Sequence, residues 1–263
     1  MILDIDHISF SSMILENDIE IIKKLGYKVD FFQKQVQNLD IKKCFLKNFS
    51  DFHDIALLKL SNSYNIELVH NNNCFRCIPY MVPIFENLPN NLTNEKEFNN
   101  EIEYNLKFLD IPIITKNNHT KLDFIFNNLI IYTRNCKKTR EFFELFGFIH
   151  NESADGKIRL EFNSLFNNKK YFLLLEKRHD NSLKYLDDIG PNCISFITNS
   201  IEREKKILEQ KGFFTTRIQE LKLNDKLINI FFVRGPGNEI VEIISIKKNN
   251  EGILNTKTNM VCD

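Results

Sequence analysis

One pattern occurs three times in this chain: a short apolar strand, a polar turn, an amphipathic helix, and then a glycine followed by an aromatic residue. In each copy, a residue of the first strand and the glycine differ by 19 in sequence position, in the pairs His7 and Gly26, Asn128 and Gly147, and Cys193 and Gly212. A glycine suits the position after the last helical turn, because it adopts the left-handed conformation there without strain from a Cβ atom. The repeat therefore predicts three copies of one structural unit, called modules one, two and three below.

Each copy continues with further strand-like runs, in which a glutamate stands among aliphatic residues. These glutamates are Glu67 in module one, Glu176 in module two and Glu242 in module three. Each module then has the order βαβββ, which predicts an α+β protein of curled mixed β-sheets with the helices on the outside. The predicted boundaries are 1–73 for module one and 123–247 for modules two and three, which are neighbours in the chain and are expected to pair with each other.

The segment 74–122 does not follow this pattern, because it contains four prolines and a polar run rich in asparagine. It is predicted to be a connector with a helix near residues 95–106, and the alternative is a degenerate module hidden within it. Residues 248–263 are polar and are predicted to form a flexible tail.

Charge and hydropathy exclude several classes of function. The chain has 35 Lys and Arg against 35 Asp and Glu, so no broad basic field is expected to attract nucleic acid or an anionic membrane. No apolar run reaches the roughly 20 residues of a membrane span, and no export signal is recognisable at the N-terminus, so a cytoplasmic location is expected. In that compartment the six cysteines are expected to be thiols rather than disulfides.

Side chains alternate along a strand, so His7 and Ser9 share one face of the first strand and Ile8 shares the other with Phe10. The same alternation groups Asn128 with Tyr132 and, separately, Cys193 with Ser195. These faces are expected to line a concavity, with the helices against the opposite face. A glutamate on an apolar strand is costly unless it meets water, a basic group or a cation. All three explanations are open for each glutamate.

The βαβββ layout, His7 in the strand at residues 6–10 and the run Gly-Pro-Gly-Asn-Glu-Ile-Val-Glu at 235–242 resemble the vicinal oxygen chelate superfamily. This superfamily includes glyoxalase I, extradiol dioxygenases, methylmalonyl-CoA epimerase and antibiotic-resistance proteins. The resemblance covers residues 1–73 and 123–247. It implies curled sheets built from paired modules, which hold a divalent metal through His or Gln of first strands and Glu of last strands.

The chain keeps only part of that ligand pattern. His7 and Glu67 match it in module one, whereas Asn128 and Cys193 stand at the first-strand positions of modules two and three. A site formed by modules two and three would contain no imidazole and would suit Fe, Ni or Zn poorly. Module one would then pair with a degenerate unit in residues 71–122, or with module one of a second chain in a homodimer.

The resemblance implies a metal-dependent enzyme, of the isomerase, lyase or dioxygenase type, that acts on a small oxygen-bearing molecule. A divalent ion (Fe, Mn, Ni, Co or Zn) would be bound by His7, Glu67, Glu176 and Glu242. Glu67 and Glu242 are the candidate catalytic residues. The candidate substrate-binding residues are Ser9, Asn128, Tyr132, Cys193 and Ser195.

Two other functions are open at this point. The loss of His at positions 128 and 193 favours a metal-free protein that binds or sequesters a small molecule on the same fold. A scaffold that binds a partner through the connector is the third hypothesis. His7 itself also has an ordinary explanation, namely a strand-start histidine bonded to a backbone carbonyl.

Overall fold

The computed structural model describes residues 1–75, 77, 79–87, 93–94, 102–106, 112–116, 124–151, 157–179, 182–223 and 226–246. Within these residues the chain forms sixteen strands and three α-helices. Among them, no helix is both long enough and apolar enough to cross a membrane. The predicted tail at 248–263 lies outside the described residues.

Module one has the predicted order of elements. Its elements are β1 (Ile2–Ser11), α1 (Leu15–Lys24), β2 (Lys28–Gln37), β3 (Phe52–Lys59) and β4 (Ile66–His70). A short 3₁₀ helix, Asp40–Cys44, lies between β2 and β3. Gly26 has a φ of 94°, the left-handed conformation that the repeat predicts for the residue after a helix.

Modules two and three repeat this order. Module two contains β9 (Ile125–Thr133), α2 (Cys136–Glu144), β10 (Ile149–Asn151), β11 (Ile158–Asn163) and β12 (Lys170–Lys177). Module three contains β13 (Gly190–Thr198), α3 (Ile201–Gln210), β14 (Gln219–Leu223), β15 (Lys226–Arg234) and β16 (Ile240–Ile246). Gly147 and Gly212 have φ values of 95° and 82°, so the common spacing has the predicted structural cause.

The segment predicted as a connector contributes strands instead. They are β5 (Met81–Glu86), β6 (Thr93–Asn94), β7 (Ile102–Leu106) and β8 (Pro112–Lys116). The helix predicted over 95–106 is wrong for residues 102–106, which form β7, and its remainder lies outside the described residues. The strands lie in the order β5-β8-β7-β6, which is the order β1-β4-β3-β2 of module one.

The strands form two mixed sheets of eight strands each. The first has the order β14-β15-β16-β13-β1-β4-β3-β2 and the second β10-β11-β12-β9-β5-β8-β7-β6. Module three therefore pairs with module one, through the antiparallel strands β1 and β13, and module two pairs with the segment 74–122. The expected pairing of modules two and three is wrong. Because module one has its partner within the chain, the reason for expecting a homodimer no longer applies.

One large apolar core joins the two sheets and the helices. Ile8 and Phe10 enter it from β1, and Leu129 and Ile131 enter it from β9. These residues alternate with the polar positions His7, Ser9 and Asn128, so the predicted parity of both first strands is confirmed. The opposite, concave face of the first sheet is left to form a cavity, and this cavity contains the candidate site.

Candidate metal centre

Strand register brings the polar residues of modules one and three onto one concave face. His7 faces Ser195 across the antiparallel pair of β1 and β13. Ser9 faces Glu67 in the parallel pair of β1 and β4, and Ser195 faces Glu242 in the parallel pair of β13 and β16. Directly paired residues point to the same side of a sheet. His7, Glu67 and Glu242 therefore converge at the middle of the sheet, although they are far apart in the sequence.

The donor atoms of these three side chains are close together. Nε2 of His7 lies 3.4 Å from Oε1 of Glu67 and 3.3 Å from Oε2 of Glu242. Nε2 is buried, and it satisfies hydrogen-bond geometry with no group in the described part of the chain. The hydroxyl of Ser9 donates a hydrogen bond of 2.8 Å to Oε1 of Glu67. The imidazole is thus aimed between two carboxylates without a well-formed bond to either.

The other ring nitrogen of His7 has a firm partner. Nδ1 lies 2.8 Å from Oδ2 of Asp6, a residue that the sequence analysis did not identify as part of the site. His7 is therefore not the strand-start histidine bonded to a backbone carbonyl that was considered as its ordinary explanation. A carboxylate on the far nitrogen fixes the ring orientation, which is the usual arrangement behind a metal-binding histidine.

Opposite charges in this cluster shift the pKa values of His7 and Glu67. Burial alone would lower the pKa of His7, but Glu67, Asp6 and Glu242 raise that pKa well above its ordinary value. Burial alone would raise the pKa of Glu67, but the charged His7, Lys42 and the Ser9 hydroxyl lower it to about 2. Three carboxylates thus surround one imidazole, which their charge keeps protonated, and Lys42 lies beside them.

A cavity of about 120 Å³ opens above this cluster. His7, Glu67 and Glu242 line it together with aliphatic and charged side chains. The aliphatic ones are Ile55, Leu57, Leu221, Leu223, Ile228, Ile230, Ile244 and Ile246, and the charged ones are Asp6, Asp30, Lys42, Lys59 and Lys226. A smaller space of about 20 Å³ adjoins it and is lined by Ser9, Glu67, Cys193 and Glu242. Lys42 lines both spaces. A wider surface depression of about 720 Å³ beside His70 and Cys74 contains none of these carboxylates.

Sequence reasoning missed His53, which also lines the cavity. His53 is the second residue of β3, and it alternates along the strand in step with the lining residues Ile55 and Leu57. Burial and the nearby Lys42 ammonium lower the pKa of His53 to about 3, although Glu67 opposes this shift. His53 is therefore a neutral imidazole at pH 7, and its Nδ1 has no hydrogen-bond partner in the described part of the chain.

The remaining predicted residues divide between the sheets. Ser9, Cys193 and Ser195 lie with the cluster in the first sheet. Burial, together with the charges of Glu242 and Glu67, raises the pKa of the Cys193 thiol well above its ordinary value. Asn128 and Tyr132 lie on the concave face of the second sheet, beside the apolar cluster of Val82, Ile84, Ile114 and Ile130. The structure does not bring these two residues to His7.

Glu176 also lies in the second sheet and is not equivalent to Glu67. In module one, Glu67 faces Ser9, which is two residues after His7. The equivalent position in module two is Ile130, two residues after Asn128, and it faces Leu174. Glu176 faces Tyr132 instead and forms an ion pair of 2.5 Å with Lys157. The structure therefore does not bring Glu176 to the cluster of His7, Glu67 and Glu242. An ion pair with a basic residue is one of the three explanations for a glutamate on an apolar strand, and it applies to Glu176.

The distances from Nε2 of His7 to the two carboxylates can be compared with those between ligand atoms of one ion. Two ligand atoms at about 2.1 Å from one ion are about 3.0 to 3.4 Å apart at octahedral or tetrahedral angles, and the two separations from Nε2 of His7 are 3.4 and 3.3 Å. No group of three His, Cys, Asp or Glu among the described residues has the full geometry of a ready-made site. Cation binding would therefore require the carboxylates to adjust.

Comparison with known proteins identifies the fold. No protein-family model and no curated protein matches the sequence. Among solved structures, a "putative dioxygenase" from Bacillus subtilis superposes with a TM-score of 0.63 at 12% identity, over 94% of this chain and 86% of that one. Glyoxalase I from Zea mays superposes with a TM-score of 0.54 at 12% identity, over 92% of each chain. The chain therefore has the vicinal oxygen chelate fold, the fold of glyoxalase I, as the repeated modules predicted.

Proposed function

We propose that this chain is a metal-dependent enzyme that acts on a small oxygen-bearing molecule, with His7, Glu67 and Glu242 as metal ligands. The observation that carries the proposal is the buried Nε2 of His7, which has no hydrogen-bond partner in the described part of the chain and lies within 3.4 Å of two carboxylates. A buried polar atom in this state normally has an explanation, such as an ion. The fold shared with glyoxalase I supports the same function.

The charge of the cluster supports a cation in particular. A divalent cation in place of the His7 proton would compensate the carboxylates of Asp6, Glu67 and Glu242 with one more positive charge than that proton supplies. When bound, a divalent cation would supply Lewis acidity that stabilises negative charge on substrate oxygens. Because a ligand imidazole is neutral, metal binding would displace the proton that the raised pKa of His7 keeps on its ring.

The protein residues around the cluster would bind and orient the substrate. The aliphatic side chains of the cavity fit a substrate with an apolar body. Lys42 lines the cavity and would attract an anionic oxygen of the substrate. A neutral imidazole such as that of His53 can donate a hydrogen bond to a substrate oxygen without bringing a charge to the site.

Proton transfer is assigned to Glu242. Its Oε2 lies 3.3 Å from Nε2 of His7, and the carboxylate would move a proton to or from the substrate. Ser9 holds Glu67 by a hydrogen bond and so separates the roles of the two carboxylates. This division of roles favours an isomerase or lyase that moves a proton next to a carbonyl or hydroxyl group.

A metal-free protein that binds a small molecule is the second candidate. The observation in its favour is that the described residues contain no ready-made geometry for a cation, while many aliphatic side chains line the cavity. In this function the His7 imidazole would stay charged and would pair with Glu67 and Glu242 permanently.

Metal binding to the purified chain tests the proposal. After treatment with a chelator, the protein is dialysed against Mn²⁺, Fe²⁺, Co²⁺, Ni²⁺ or Zn²⁺, and bound metal and the melting temperature are measured. We expect one ion per chain and a higher melting temperature, because a ligand that binds only the folded state stabilises it. His7→Ala and Glu67→Gln should weaken binding by about 100-fold or more.

Glu176→Gln is the matched control, because Glu176 lies on the last strand of module two but pairs with Lys157 in the second sheet. It should bind metal as the unchanged chain does. Metal binding that is unaffected by His7→Ala and Glu67→Gln would refute the ligand assignment. Absence of any metal binding, together with stabilisation by a small aromatic or aliphatic acid, would favour the metal-free function.

A further inference from the structure

The concave face of the second sheet contains a pocket of about 240 Å³. Its lining includes Glu86, Asn127, Asn128, Arg159, Phe172 and Leu174. These residues come from β5, β9, β11 and β12, which are neighbouring strands of the second sheet. In the described part of the chain, this pocket shares no lining residue with the cavity at His7. The function proposed for the first sheet therefore does not explain it.

Asn127 and Asn128 have the places in the second sheet that Asp6 and His7 have in the first. The register of β1 with β13 is irregular at Asp6, and the register of β9 with β5 is irregular at Asn127. Such an irregularity allows two successive side chains to reach the same face. Nδ2 of Asn128 donates a hydrogen bond of 2.6 Å to Oδ1 of Asn127, as Nδ1 of His7 bonds to Asp6. Two amides thus replace the acid and the imidazole.

The other acidic positions of the first site hold aliphatic residues in the second. From Asn128, the register across β5 and β8 leads to Ile114, which has the place of Glu242. Leu174 has the place of Glu67, because it faces the position equivalent to Ser9. Amide groups beside aliphatic side chains suit an organic ligand held by hydrogen bonds and apolar contact.

Two side chains of opposite charge lie on either side of the amide pair. The guanidinium of Arg159 stacks over the ring of Phe172, 4.2 Å from its centroid, and Phe172 faces Asn128 across the β12–β9 pair. Glu86 lies on β5, on the other side of β9. Within the described part of the chain, neither Arg159 nor Glu86 forms an ion pair or a side-chain hydrogen bond. The pocket therefore offers one cation and one anion to a ligand.

We propose that this pocket binds a small zwitterion, of the class of a free α-amino acid with an apolar side chain. The guanidinium of Arg159 would donate hydrogen bonds to the carboxylate of the ligand, and Glu86 would accept them from its ammonium group. β12 and β5 are two strand spacings apart, about 10 Å, which an amino acid with a hydrogen bond at each end can span. Asn127 and Asn128 lie between the two charges, and Leu174 would contact the apolar side chain.

The charges separate this ligand class from two alternatives. A simple carboxylic acid would satisfy Arg159 but would bring a second negative charge near Glu86. An exposed arginine stacked on a phenylalanine can also be an ordinary surface pair, in which case the pocket binds nothing. Both alternatives give different binding results from those of a zwitterion.

The experiment is calorimetric titration of the full-length chain, in the presence of a chelator, with L-leucine and with L-phenylalanine. We expect saturable binding of at least one of them, at one molecule per chain. The matching acids without the amino group, 4-methylpentanoate and 3-phenylpropanoate, should bind about tenfold more weakly or less, because they lose a charge-assisted hydrogen bond.

Variants of the two charged residues locate the ligand. Arg159→Gln and Glu86→Gln should each weaken binding by about tenfold or more, for the same reason. Arg203→Gln and Glu202→Gln are the matched controls, because both residues are exposed on α3, on the other side of the molecule's chain pairing, in module three. They should bind the amino acid as the unchanged chain does. The melting temperature of each variant without ligand shows whether the fold is retained.

Three results would overturn the inference. They are no saturable binding of either amino acid up to about 10 mM, equal affinity for the acids without the amino group, and binding that Arg159→Gln and Glu86→Gln leave unchanged. Because the chelator removes metal and the pocket lies in the second sheet, each of these results is independent of whether the first sheet binds a cation. The first two results are read from the unchanged chain, so they do not depend on how the variants fold.

Discussion

The carboxylate of Asp6 accepts a hydrogen bond of 2.8 Å from Nδ1 of the adjacent residue His7. This bond fixes the ring so that Nε2 points to Glu67 and Glu242 rather than to solvent. Neighbouring residues of a strand normally point to opposite faces, and β1 has a register irregularity between Ile5 and His7. The irregularity allows two successive side chains to serve the same site.

We expect Asp6→Asn to weaken metal binding while the fold is retained. An amide can replace the shape of the carboxylate, but it does not raise the basicity of the imidazole as a carboxylate does. Loss of such a partner typically costs about 10 to 100-fold in metal affinity. Competition with a chelator of known affinity measures the change. Asp51→Asn, at an exposed position, is the control, and equal affinities for both variants would show that Asp6 does not position His7.

Much of the fold could be predicted because the repeat is local. The spacing of Gly26, Gly147 and Gly212 reflects the length of a strand, a turn and a helix, and all three glycines have positive φ. The connector could not be predicted in this way. Pro83 lies within β5, between β9 and β8 in the second sheet, and a proline normally argues against a central strand.

Which modules pair with each other could not be predicted from the sequence, for a different reason. The β1–β13 contact joins His7 to Ser195, and nothing local in either strand specifies its partner. Proximity in the chain favoured modules two and three, which lie in different sheets. The register between two strands cannot be predicted from either strand alone. Glu176 follows three leucines as a ligand could, yet it faces Tyr132 instead of the position equivalent to Ser9.

The stability of the metal-free chain should depend on pH through His53. Its pKa is about 3 in the folded state, below the ordinary value of 6.5, so the unfolded chain binds a proton first as the pH falls. Stability is therefore present above pH 6.5 and is lost as the pH falls toward 3. Between pH 7 and pH 5 this loss is at most about 2 kcal/mol, from 1.5 units at about 1.36 kcal/mol each.

His53→Gln should remove that dependence, because glutamine does not titrate. Urea denaturation at pH 7 and pH 5, in the presence of a chelator, measures the free energy of unfolding of each variant. His150→Gln, at an exposed histidine on β10, is the matched control and should keep the dependence of the unchanged chain. An identical loss of stability with falling pH in His53→Gln and in the unchanged chain would contradict a neutral, buried His53.

The two sheets should unfold together because aromatic residues connect them. Phe146, which follows α2 of module two, stacks on Phe196 of β13 in module three, with ring centroids 4.8 Å apart and planes 7° apart. Both rings are buried in the core that joins the sheets. Phe146→Ala removes this contact and leaves a cavity, so we expect the free energy of unfolding to fall by about 3 to 5 kcal/mol. Phe166→Ala, at a ring that is 61% exposed, should change it by less than about 0.5 kcal/mol.

Circular dichroism and tyrosine fluorescence during urea denaturation should give one shared midpoint for Phe146→Ala, lower than that of the unchanged chain. Two separate midpoints would show that the sheets are independent and that the stacked pair does not couple them.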